Sequence, residues 1–125
     1  MPGPSPAIIS YSASVATSGV CAVSMPNDGV NFWFCSGFEI TAGGATAAQL
    51  NTATITGLLG GTLSYKFGVP AGVSSPATPL QVSFPSALAA ASVGADVVLS
   101  VAGFAGNLGV CAVIHGYKGS RQYNQ

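Results

Sequence analysis

The stretch ITGLLGGTLSYKFGVPAG, residues 55–72, decides the fold. After Gly60-Gly61, Leu63, Tyr65, Phe67 and Val69 alternate with Ser64, Lys66 and Gly68; before it, Thr52, Thr54 and Thr56 alternate with Ala53 and Ile55. A period of two places successive side chains on opposite faces of an extended chain, so each run reads as a strand with one buried face. A Gly-Gly pair between two such runs reads as a hairpin. The whole stretch holds one charged side chain, Lys66. That is unusual for a sheet face that ought to meet water.

The same pattern recurs on either side. In 8–15, Ile9, Tyr11, Ala13 and Val15 alternate with Ser10, Ser12 and Ser14. In NFWFCSGFEIT (31–41), alternation assigns Phe32, Phe34, Phe38 and Ile40 to the core and Trp33, Cys35, Glu39 and Thr41 to the opposite face. LQVSF (80–84) alternates and is expected to stop at Pro85, with 86–94 a helical turn or a loop. ADVVLSV (95–101) turns Val97, Leu99 and Val101 inward, and VCAVIHGY (110–117), apolar at both parities, reads as a strand covered on both sides.

Between these runs lie Asp28-Gly29, a hairpin signal, the small-residue loop or irregular edge AGGATAAQ (42–49), a loop over 69–79 and the glycine-rich GFAGNLG (103–109). About seven or eight short strands and no long helix predict an all-β protein, an antiparallel β-sandwich or jelly roll. Residues 1–9, with Pro2, Pro4 and Pro6, read as an extended N-terminal arm, 10–118 as the sandwich domain and 119–125 as a polar tail. At 125 residues the chain has room for one domain.

Charge narrows the function classes. Three basic and three acidic residues make up 5% of the chain, against about 25% in an ordinary soluble protein. Lys66, Lys118 and Arg121 are too few to neutralise a run of phosphates, which argues against nucleic acid and against a polybasic membrane anchor. The apolar window 7–23 is broken by Ser10, Ser12, Ser14, Thr17, Ser18 and Gly19. It falls short of the ~20 apolar residues of a spanning helix. MPGPSP lacks the positive n-region of a secretory signal. With so little repulsion between copies, the chain is expected to self-associate. Cys21, Cys35 and Cys111 are odd in number and match no CxxC pattern, so they read as small buried hydrophobes in a reducing compartment.

Titratable groups are scarce. Asp28, Glu39 and Asp96 are the only side-chain carboxylates, and Asp28 is explained by its turn. Glu39 and Asp96 fall at outward positions, solvated or interfacial. The single histidine, His115, lies four residues after Cys111. On a strand that spacing is ~13 Å, too far for a hydrogen bond or a shared metal. His115 is therefore expected to bond to backbone or pack at an interface. No phosphate loop and no G-x-S-x-G elbow is present. No catalytic residue, cofactor or metal site is predicted. Trp33 remains: facing outward, it would anchor an interface or stack on a sugar ring, unless it packs beneath a loop of its own subunit. Tyr117 and Tyr123, beside the tail KGSRQYNQ, cap the end of the fold or touch a partner.

GGTLSYKFGVPAG, PLQVSFPSALAA and GNLGVCAVIHGY, within about residues 57–117, resemble small all-β virion proteins of tailed phages. The resemblance implies a structural part of the particle, a decoration or cement protein of jelly-roll form. Such a protein is made in bacterial cytoplasm, is often trimeric and clamps neighbouring coat subunits. Its partners would be the major capsid protein, other virion proteins or copies of itself, and it carries no catalytic residues. The contact elements expected on this reading are Pro2, Pro4, Pro6 and Ile8 of the arm, Trp33, and Val73 and Pro76 of the loop. Two alternatives stand beside it. One is a tail, collar or baseplate component; the other is a fibre-tip module binding a host glycan through Trp33 with Glu39 or Asp28.

Overall fold

The computed structural model describes residues 7–15, 19–71, 80–103 and 109–119. Its strands are β1 (Ile9–Val15), β2 (Cys21–Met25), β3 (Phe32–Gly43), β4 (Gln49–Thr56), β5 (Leu63–Val69), β6 (Leu80–Ala89), β7 (Val97–Val101) and β8 (Gly109–Gly119). The expected hairpin is the centre of the pairing scheme, with β4 and β5 antiparallel from Gln49↔Val69 to Ile55↔Leu63. Around it β3 pairs β6, β2 pairs β7 and β1 pairs β8. The chain is thus one long double ribbon, doubled back at the hairpin and rolled up. Contacts of β3 with β8 and of β4 with β7 complete two antiparallel sheets, β1-β8-β3-β6 and β2-β7-β4-β5. They pack face to face as a β-sandwich.

The inward parity of each strand makes the core. Ala53, Ile55, Val97, Leu99, Val101, Ala112 and Ile114 have no exposure, and Phe38 and Ile40 are 1% exposed. Tyr65 of β5 meets Phe38 of β3 edge to face at 5.0 Å, joining the two sheets. The hairpin loop also reaches across. The Leu59 N–H donates to the Ala89 carbonyl at 2.9 Å, and the Ala91 N–H to the Gly57 carbonyl at 2.8 Å. Gly57, at φ +86, lies directly on the carbonyl of Asp96.

Several expectations are corrected. Asp28-Gly29 is a turn but not a hairpin: β2 and β3 belong to different sheets, and the turn carries the chain between them. Asp28 Oδ1 accepts the N–H groups of Val30 and Asn31, both at 2.8 Å, and Lys118 Nζ donates to Oδ2 at 3.1 Å. The two backbone donors, then Lys118, hold the carboxyl far below the usual carboxylate range. Asp96 pins the same crossing by accepting the backbone N–H and side-chain amide of Asn27, at 2.7 and 2.6 Å.

Second, β6 does not stop at Pro85. It is an edge strand, where a missing N–H need not interrupt a ladder. Its pairing jumps from Gly37↔Ser83 to Cys35↔Leu88, so Phe84–Ala87 stand opposite the single residue Ser36, with Phe84 still packed against Phe38. Residues 86–89 therefore belong to a strand.

Third, that irregularity inverts the parity of β3. After Ser36 the inward residues are Phe38 and Ile40, as alternation predicts; before it they are Trp33 and Cys35. Trp33 is 1% exposed, and Phe32 and Phe34 are turned to the outer face. The Trp33 Nε1–H donates to the Pro26 carbonyl at 2.7 Å, Tyr11 meets the ring edge-on at 5.9 Å, and Lys118 Nζ sits 5.2 Å from its centroid.

Fourth, β8 is covered on one face only: Val110, Ala112 and Ile114 are buried, while Val113, His115 and Tyr117 are half-buried on the other. Ile9, the first residue of the alternating run, pairs with Gly116 in β1. Pro2, Pro4, Pro6, Val73 and Pro76 lie outside the described residues.

All three thiols are free, but only Cys21 and Cys35 are buried; Cys111 is exposed. Burial pushes Cys35 up to about 11 and raises Cys21 as well. Because the thiolate is the reactive form, the native chain should take up one equivalent of maleimide rapidly, at Cys111. Cys21 and Cys35 should react only on unfolding. Intact-mass spectrometry of wild type and Cys111→Ser reads this, and rapid labelling of Cys111→Ser would contradict the buried placement.

Candidate functional site

The outer face of β1-β8-β3-β6 brings polar side chains from three strands together. Register aligns Ser10, His115, Gly37 and Ser83 in one cross-strand row, and Ser12, Val113, Glu39 and Gln81 in the next. Ser10 Oγ lies 2.6 Å from His115 Nδ1, and His115 Nε2 lies 2.9 Å from Glu39 Oε1. With the proton assigned to Nε2, that N–H donates to the carboxylate and the Ser10 hydroxyl donates into Nδ1. The side chains of His115 and Glu39 are 27% and 47% exposed, so the pair contributes little to stability and is free to serve a ligand.

Beside this pair a depression of about 400 Å³ opens over β3 and β6. Ile8, Ser36, Glu39, Gln81, Ser83 and His115 line it. Gly37 stands between His115 and Ser83 in this row, packed so closely on β6 that an added Cβ would run into the Val82 carbonyl. In the row beyond His115, Tyr117 and Phe34 stack with centroids 5.3 Å apart and ring planes 16° from parallel.

Serine, histidine and glutamate in hydrogen-bonded series have the order of a nucleophile, a base and its orienting group. Acyl transfer also needs donors aimed at an oxyanion beside the nucleophile. Ser10 stands on the edge strand, across His115 from the depression, so an acyl group on its Oγ would lie outside the cavity. The series instead fixes His115 in one orientation and holds Glu39 at the cavity wall.

The opposite sheet is chemically blank. Its outer rows are Ser24–Val98–Thr56, Ala22–Ser100–Thr54–Ser64, Ala102–Thr52–Lys66 and Leu50–Gly68, with Leu50 exposed to solvent. Lys66 Nζ, the one charge among them, donates to Thr52 Oγ1 at 2.7 Å. A second, apolar furrow of about 360 Å³ runs between Leu58, Leu59 and Leu63 on one side and Ala87–Ala89 on the other.

Of the residues singled out from sequence, Ile8 is 54% exposed and lines the depression, whereas Trp33 is withdrawn into the core. Glu39 faces outward as alternation predicts. Its meeting with His115 and Ser10 was not foreseen, because the three lie on strands far apart in the chain. Among the described residues no cluster of three His, Cys, Asp or Glu side chains could hold a metal ion, and no helix is long and apolar enough to cross a membrane. Compared with known protein families, curated proteins and solved structures, the chain matches none.

Proposed function

We propose that this chain is a structural component of a tailed-phage virion, a capsid decoration or cement protein that works by burying a sheet face against coat subunits or copies of itself. The observation that carries the reading is the outer face of β2-β7-β4-β5, where serine, threonine, alanine and valine surround the single charge of Lys66. Sheets that live in water are guarded by charged side chains and prolines. Short side chains lose little rotamer freedom when covered, so this face costs little to bury against protein. Permanent interfaces of that class cover ~2,000 Å² or more. The nested pairing about the β4–β5 hairpin is the strand order we read as a jelly roll, an architecture of capsid and lectin domains. The resemblance of residues 57–117 to phage virion proteins points the same way.

Thr54 lies near the middle of this face, and Thr54→Lys tests the reading. Sedimentation of the wild-type chain should give an oligomer, a trimer on the decoration-protein reading. Thr54→Lys should dissociate it or abolish its retention on phage shells, while its far-UV circular dichroism stays that of the folded sandwich. A wild-type chain that stays single at high concentration and binds no shell would overturn the proposal.

A further inference from the structure

We infer that the depression flanked by His115, Glu39, Gln81 and Ser83 is a saccharide-binding site, with the stacked Tyr117–Phe34 pair in the cross-strand row beyond it. This goes beyond an assembly role and involves the sheet opposite the uncharged one. Its volume, about 400 Å³, lies at the small end of the range for ligand pockets, ~300–1,000 Å³, so one sugar ring enters rather than a long chain.

The groups on the wall fit that ligand. A carboxylate accepts from vicinal hydroxyls, a primary amide both donates and accepts, and the hydroxyls of Ser36 and Ser83 do the same. Ser10 holds His115 by Nδ1, and the imidazole engages Glu39 Oε1. The carboxylate is thereby oriented before ligand arrives, with Oε2 the acceptor we assign to the sugar. Aliphatic Ile8 lines the depression, and the ring pair in the next row offers apolar surface to the C–H face of a pyranose that extends over it.

Other ligand classes fit less well. A phosphate or nucleic acid would meet a carboxylate with no lysine or arginine among the lining residues. A divalent cation would find one carboxylate where such sites gather several oxygen ligands. The sugar reading also relocates the glycan expectation, from Trp33, which is buried, to an aromatic pair that faces out.

Saturation-transfer NMR on the full chain tests this with the methyl glycosides of glucose, galactose, mannose and N-acetylglucosamine as probes. At least one should show transfer, with shift changes confined to residues near His115 and Tyr117. Glu39→Gln keeps the shape of the side chain and should weaken that binding at least tenfold. Gln81→Ala, on an edge strand, should also weaken it, and Thr54→Lys on the opposite sheet should not. No transfer to any of the four, or an affinity that Glu39→Gln and Gln81→Ala leave unchanged, overturns the inference.

Discussion

Trp33→Ala should destabilise the chain by about 3–5 kcal/mol, the range for deleting a buried aromatic side chain. The ring is 1% exposed. Its removal loses the transfer energy of the indole, leaves a cavity beside Tyr11 and strips the Pro26 carbonyl of its 2.7 Å donor. Trp33→Phe isolates the last of these, because most of the volume stays while the N–H goes; its cost should be nearer 1–3 kcal/mol. Denaturant unfolding followed by circular dichroism measures both, since Trp33 is the only tryptophan and its fluorescence disappears with it. An outward Trp33, as simple alternation has it, would change stability by only about 0.5 kcal/mol. The two placements therefore give clearly separated results. With total stabilities of ~5–15 kcal/mol usual for a domain, Trp33→Ala also threatens to unfold the chain outright, and Trp33→Phe then carries the test.

Gly57→Ala should be the most damaging single methyl group in the hairpin. At φ +86 the backbone is one that L-residues rarely adopt, and the added Cβ would run into the Asp96 carbonyl, which is backbone and cannot swing aside. Left-handed strain and overpacking, each about 1–3 kcal/mol, combine to about 3 kcal/mol or more. The neighbouring glycines separate the two causes. Gly61, at φ +100 with nothing near its Cβ position, should show the strain alone; Gly60, with open space and no such φ, should be neutral. Melting temperatures for the three alanine variants should fall in the order Gly60, Gly61, Gly57. Equal losses at all three would refute the assigned contact with Asp96.

These two positions also mark where sequence reasoning succeeds and where it stops. The hairpin at 55–72 was legible because both of its signals are local: alternation on each side and glycines between. The same holds for the phase of β1, β4, β5 and β7. Trp33 was misplaced because one unpaired residue, Ser36, shifts the parity of everything before it, and a run such as Phe32-Trp33-Phe34 is apolar in either phase. Pro85 misled because whether a strand is an edge is a property of the finished sheet. Asp28-Gly29 announced a turn correctly, yet local chemistry does not say which sheet the next strand joins. The Ser10–His115–Glu39 series lies further still from view. Ser10 and Glu39 are 105 and 76 residues from His115 along the chain, and only the β1–β8–β3 register makes them neighbours.

The nested ribbon has a consequence for biosynthesis. Of the eight described strands the earliest, β1, takes as its partner the latest, β8, with Ile9 opposite Gly116, a closure over roughly a hundred residues. The hairpin at the tip can zip as soon as its own two strands leave the ribosome, and the ribbon grows outward from there. Delivery from the tunnel and closure of the sheets thus run in opposite orders, and β1 must wait, unsheltered, until β8 has left the ribosome.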